Sequence, residues 1–218
     1  MRYRHGKKLD LDDPFVMEIP QGADVQVNWS DIFGFNGSLY VEVGCGRDEF
    51  ILRIASENPH VRCVAIDVHS QPLEKLRSKM RESLLTNVRL IRGDAMQILE
   101  NLFRENEVNK FFVNFPDPWP KNRHLKRRLL SPVFFKLMLS RLSENAKIEI
   151  QTDHYEYLKW IIDYVQKVHG LNYVDQDPYY LVKDLPEIEE YETVYEQKFK
   201  DIGKQILLLN LVRGNSEK

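Results

Sequence analysis

Ser38-Leu-Tyr-Val-Glu-Val-Gly-Cys-Gly46 is the stretch on which the fold turns. Its first six residues form a short apolar run rich in β-formers, which predicts a buried strand over 38–43. Gly44-Cys-Gly46 halts it, because closely spaced glycines punctuate local structure. Asp48 then stands where a helix cap is expected, ahead of Phe50, Ile51, Ile54 and Ala55 at helical spacing. A strand, a glycine turn and a helix in that order is the opening unit of a nucleotide-type α/β fold.

Outward from this unit the pattern repeats. Val61-Arg-Cys-Val-Ala-Ile66 predicts a second strand ending in Asp67, and 72–85 a charged amphipathic helix. Val88-Arg-Leu-Ile91 predicts a third strand, closed by Gly93-Asp94, with a helix over 96–104. Lys110-Phe-Phe-Val-Asn114 and 147–151 are the next strands, followed by helices over 134–142 and 155–168. Five alternations predict a mostly parallel sheet with helices on both faces. The ending differs: 193–199 and 205–212, around a turn at Asp201-Ile-Gly203, predict an antiparallel C-terminal strand pair. In such folds ligands bind beyond the carboxyl ends of the strands. Glu42, Asp67, Asp94, Asp117 and Asp153 all stand at or just past predicted strand ends, so one acidic rim is expected.

The chain of 218 residues, 43% hydrophobic and 29% charged, fits one soluble domain over 38–218 behind an arm and lead-in over 1–37. No apolar stretch reaches the length of a membrane span. Met1-Arg-Tyr-Arg-His-Gly-Lys-Lys8 is basic but lacks the apolar core of a signal peptide, so a cytoplasmic protein is expected. Cys45 and Cys63 have no paired spacing, and no metal site is expected. The net charge of −2 conceals basic clusters at 1–8 and 121–128 and an acidic one at 184–192. A local basic stripe is what polyanion binding requires.

The glycine turn alone fits either a dinucleotide or a methyl donor. A diphosphate needs close glycine approach and an uncluttered helix N-terminus. Here Asp48 and Glu49 follow the turn and would repel it. S-adenosyl-L-methionine carries a sulfonium and an ammonium instead, which suit Glu42 and its acidic neighbours. Asp67 is placed for the ribose hydroxyls, and Gly93-Asp94-Ala95 for the adenine edge. The competing, less favoured reading is that Asp94 simply caps a helix.

The second informative run is Asn114-Phe-Pro-Asp-Pro-Trp-Pro-Lys-Asn-Arg-His-Leu-Lys-Arg-Arg128. Its prolines predict a rigid, extended loop holding Asp117, with Trp119 and Phe115 offered as stacking platforms for a splayed base, or Phe115 simply buried in the strand end. Five of the eight residues 121–128 are Lys or Arg, suited to phosphates. His124 has no partner at ligand spacing, so a solvated or phosphate-contacting side chain is expected there.

These runs, with Thr152-Asp153 and Thr193-Val-Tyr-Glu196, resemble the bacterial tRNA (guanine-N7-)-methyltransferases from about 40 to 212. The resemblance implies a Rossmann-like class I S-adenosylmethionine-dependent methyltransferase acting on guanine 46 in the tRNA variable loop, as a monomer or homodimer. It implies cofactor contacts from Glu42, Gly44, Gly46, Asp67, Asp94, Ala95, Asn114 and Asp117, with Asp117 also catalytic. Lys121, Arg123, Asp153, Thr193 and Glu196 form the implied substrate set. Asp48 replaces the family's third glycine, Asp67 its more usual Glu, and Glu192 and Lys198 stand where Pro and Arg are common. Two other readings compete: another RNA base methyltransferase, such as one acting on an adenine amine, and a non-catalytic RNA-binding module on the same scaffold.

Overall fold

The structure, a computed structural model, describes residues 13–18, 26–174 and 206–214. The chain divides into two compact units, Met1–Phe103 and Arg104–Lys218.

In the first unit β2 (Leu39–Val43), β3 (Arg62–Asp67) and β4 (Val88–Arg92) run parallel, β3 pairing with both neighbours. Val41, Val64, Ala65 and Leu90 are all fully buried. Strands covered on both faces read as continuous apolar runs, which is why these three were visible in the sequence. Helices α2 (Phe50–Glu57), α3 (Ser70–Glu82) and α4 (Ala95–Leu102) follow them in turn and bury Ile51, Leu73 and Ile98.

Two short elements inside the expected lead-in join this unit. β1 (Val16–Glu18) pairs in parallel with β4, and α1 (Trp29–Phe33) is capped by the Asn28 side chain, which accepts the Ser30 amide at 3.1 Å. Charge holds them down. The buried carboxylate of Asp13 lies 2.9 Å from Arg77 and 2.6 Å from Arg81, while Arg77 also pairs with Glu74 at 2.8 Å. Arg89, itself buried, lies over the rings of Phe15 and Phe33 and donates to the carbonyls of Ile32, Thr86 and Val88. A buried guanidinium is tolerated when hydrogen bonds replace its lost hydration, as the bonds to these three carbonyls do.

In the second unit β5 (Val108–Asn114) and β6 (Leu142–Thr152) run parallel. β8 (Leu207–Arg213) lies antiparallel to β6, with Lys147 opposite Val212 and Thr152 opposite Leu207. β7 (Leu171–Tyr173), not expected from the sequence, pairs antiparallel with β8. The antiparallel ending therefore holds, while the strand expected over 193–199 lies outside the described residues. Helix α5 (Pro132–Arg141) starts at the Ser131 cap, whose Oγ accepts the Phe134 amide at 3.3 Å, with Pro132 in the first turn. It stops one residue earlier than expected, because Leu142 already belongs to β6. Helix α6 (Tyr155–Val165) begins at His154, whose Nδ1 accepts the Tyr157 amide at 3.1 Å.

Candidate active site

The first unit gathers its strand ends on one carboxylate. Gly44 and Gly46 take φ of 73° and 58°, the left-handed region open to glycine. That geometry lets the amides of Gly44 and Cys45 both donate to the Ile66 carbonyl, at 2.8 and 3.1 Å. The Gly46 amide donates to Asp67 Oδ2 at 3.0 Å, and the His69 amide to Oδ1 at 2.7 Å. The Gly93 amide, after β4, donates to the Asp67 backbone carbonyl at 3.1 Å. Asp67 is thus fixed by the turns after β2, β3 and β4. An ionised carboxylate has about four acceptor positions, so capacity remains for ligand hydroxyls.

Glu42 is buried in the same unit. Burial pushes the Cys45 thiol far up, and the charges of Glu42 and Asp67 push it further. Buried acidic side chains beside an open glycine turn suit a cationic ligand and disfavour a diphosphate. A Cβ added at Gly44 would meet nothing within 4 Å, so the turn is glycine for its backbone and leaves open space above it. The residues present therefore fit S-adenosylmethionine.

Asp94 caps α4, its Oδ1 accepting the Gln97 amide at 3.3 Å, and remains exposed; Ala95 opens the helix. Asp48 does not cap α2. The cap position falls to Glu49, which makes no side-chain cap bond, while Asp48 turns inward and lies 4.0 Å from Arg53. The buried Asp48 carboxylate thus lies at the outer limit of ion-pair range from a part-exposed guanidinium.

In the second unit the proline-rich run leaves β5 through Phe115, whose amide donates to the Gln151 carbonyl at 2.8 Å. Phe115 and Trp119 have φ of 48° and 38°. Both precede prolines and neither is glycine, so each position carries strain on the order of 1–3 kcal/mol. Between them the side chain of Asp117 is exposed. The expected extended loop is therefore two kinks, followed by a 3₁₀ helix over Asn122–Arg127. Asp153 directly follows β6, half-buried ahead of the His154 cap.

A family model described as "Putative methyltransferase" matches residues 36–209. The tRNA (guanine-N(7)-)-methyltransferase of Desulfitobacterium hafniense (strain Y51) is 31% identical, over 89% of this chain and 87% of that protein. The enzyme of the same name from Streptococcus pneumoniae (strain 70585) is 32% identical, over 94% of this chain and 97% of that protein.

The chain belongs to the tRNA (guanine-N7-)-methyltransferase family.

The fold agrees. A solved structure of the 16S rRNA methyltransferase KamB superposes with a TM-score of 0.59 at 18% identity, covering 81% of this chain and 88% of that one. The class I methyltransferase fold read from the sequence is thus the observed one.

In this family member Glu42, Gly44, Gly46 and Asp67 are brought together in the first unit. Asp94 and Ala95 occupy the start of α4. Asn114, Asp117, Lys121 and Arg123 lie along one segment of the second unit, and Asp153 directly follows the neighbouring strand. Thr193 and Glu196 lie outside the described residues. Among those described, no cluster of His, Cys, Asp or Glu has the makings of a metal site, and no helix is long and apolar enough to cross a membrane.

Trp119 differs from its expected role as an open platform. The Arg127 guanidinium lies over its ring, 5.0 Å from the centroid, and His124 meets it edge-on at 5.5 Å. The indole is already engaged by its own chain, so a base would have to displace Arg127 to stack on that face. Sequence reasoning missed the tether of Asp67 to Gly46 and the seat of Arg128 on α6. Both are long-range, and no local pattern carries them.

Proposed function

We propose that this chain transfers the methyl group of S-adenosylmethionine to N7 of guanine 46 in the variable loop of tRNA, in the cytoplasm. The observation that carries the reading is the acid-lined glycine turn around Cys45, in a chain of this family. We assign 38–218 as the methyltransferase domain and 1–37 as its arm and lead-in, an assignment supported by the family match over 36–209.

When bound, S-adenosylmethionine supplies an electrophilic methyl group on a sulfonium. Glu42, Gly44, Gly46, Asp67, Asp94 and Ala95 would hold it, with Asn114 and Asp117 as the further contacts that the family resemblance implies. Asp67 would take the ribose hydroxyls on the acceptor positions left after its two amide bonds. Guanine N7 has an in-plane lone pair and no hydrogen, so its methylation needs alignment rather than a general base. The base gains positive charge as it is methylated, and a fixed carboxylate favours that charge. Asp117 supplies the field, and with Asp153 accepts the N1 and N2 hydrogens of guanine, which adenine lacks in that arrangement. Lys121 and Arg123 position phosphates, and Thr193 and Glu196 complete the substrate set.

Calorimetry with S-adenosylmethionine and turnover on unmodified tRNA test this together. Binding in wild type, and a drop of about a hundredfold in turnover for Asp117→Ala, are expected. Near-normal turnover in that variant would remove Asp117 from the mechanism. A chain that binds tRNA but not the cofactor would be an RNA-binding module.

A further inference from the structure

The five cations of 121–128 do not share one environment. Lys121, Arg123, Lys126 and Arg127 are exposed, whereas Arg128 is half-buried. Its guanidinium lies 4.5 Å from the ring centroid of Trp160 and 4.9 Å from that of Tyr157, both on α6. Its Nε donates to the Pro118 carbonyl at 2.8 Å, and its backbone amide donates to the Leu125 carbonyl at 3.1 Å. One residue thus joins the peptide directly after Asp117, the end of the 3₁₀ helix, and the first turns of α6.

We propose that Arg128 is a positioning residue that clamps the Asp117 loop against α6, rather than a contact for tRNA phosphate. The proposal rests on the reading that Asp117 acts on the base.

Three features support the assignment. The kinks at Phe115 and Trp119 persist only if their surroundings hold them, and the bond to Pro118 falls between the two. A guanidinium is planar and weakly hydrated, so stacking on two rings fixes the direction in which Nε donates. The hydroxyl of buried Tyr157 feels both charges: burial pushes it up most, the Leu130 backbone and then Arg128 draw it down, and Asp117 pushes it up.

Arg128→Lys separates the two roles, because it keeps the charge but loses the planar stack and the Nε bond. Arg128→Ala is its companion. Both are compared with wild type in the full chain by turnover on an unmodified tRNA transcript, by tRNA affinity against KCl, and by tryptic cleavage after Lys121 and Arg123. For the clamp, kcat falls by about a hundredfold in Arg128→Lys with KM for tRNA and the salt slope nearly unchanged. Cleavage in the loop accelerates at an unshifted melting temperature. Wild-type kcat in Arg128→Lys, with a salt slope shallower by about one in Arg128→Ala, would overturn the proposal and make Arg128 a phosphate contact. Should Arg128→Ala fail to fold, Arg128→Lys decides alone. Should wild type transfer no methyl group to tRNA, the functional reading falls, and cleavage still decides the clamp: faster keeps it, unchanged overturns it.

Discussion

Oδ2 of Asp67 lies 3.0 Å from the amide nitrogen of Gly46 and accepts its hydrogen. The carboxylate at the end of β3 therefore shapes the turn after β2. Asp67→Ala is expected to weaken S-adenosylmethionine binding by more than about tenfold, since removing a charged acceptor leaves a donor unpaired. Gly46→Ala tests the turn separately. Its Cβ would meet nothing closer than 3.9 Å, so the cost is conformational, about 1–2 kcal/mol on a urea midpoint. Asp67→Ala with unchanged affinity by calorimetry would contradict the assignment.

Asp13 makes the first unit sensitive to acid. Burial alone would raise its pKa, but the Phe15 amide and the guanidiniums of Arg77 and Arg81 more than offset this, and the carboxyl sits below its ordinary 3.8. A depressed folded-state pKa gives stability that is present above the unfolded value and is lost as pH falls through the folded one. Wild type should thus lose stability on acidification below about pH 4, and Asp13→Asn should lose less over that range. At neutral pH, Asp13→Ala should cost about 3 kcal/mol, because Arg77 and Arg81 lose a buried partner. Denaturant midpoints against pH read both effects.

The two cysteines should be inert in the folded protein. Burial, then the charge of Glu42, hold both thiols well above their ordinary value, and Asp67 adds to this at Cys45. Only the thiolate is a ready nucleophile. Iodoacetamide at pH 8 should label neither by mass spectrometry, and both after unfolding in urea. Rapid labelling of Cys45 in native protein would show that its negative surroundings are not as described.

Binding of tRNA should weaken steeply with salt, because phosphate contacts release counterions. Replacing exposed Arg123 or Lys126 by Ala should make the slope shallower by about one each. A flat wild-type profile would remove the basic segment from RNA binding.

Much of this was legible in the sequence where one stretch carries its own reason. β2, β3 and β4 are mostly apolar runs buried on both faces, interrupted internally by Glu42 and Arg89, and the Asp94 cap needs only its neighbour Gln97. The failures are of another kind. β1 and β7 have three residues each, too few for a period to appear. Asp48 has the composition of a cap, but burial beside Arg53 decides its direction. Arg127 and Arg128 look identical in sequence, yet one covers Trp119 and the other lies on Trp160 and Tyr157 of a later helix. Tertiary contact separates them, and no window of residues contains it.

The most direct measurement incubates wild-type protein with S-adenosylmethionine and unmodified tRNA, then locates the methyl group by nuclease digestion and mass spectrometry. The expected product is 7-methylguanosine at position 46 and nowhere else. A methyl group on another atom or another base, or none at all from folded protein that binds both ligands, would contradict it.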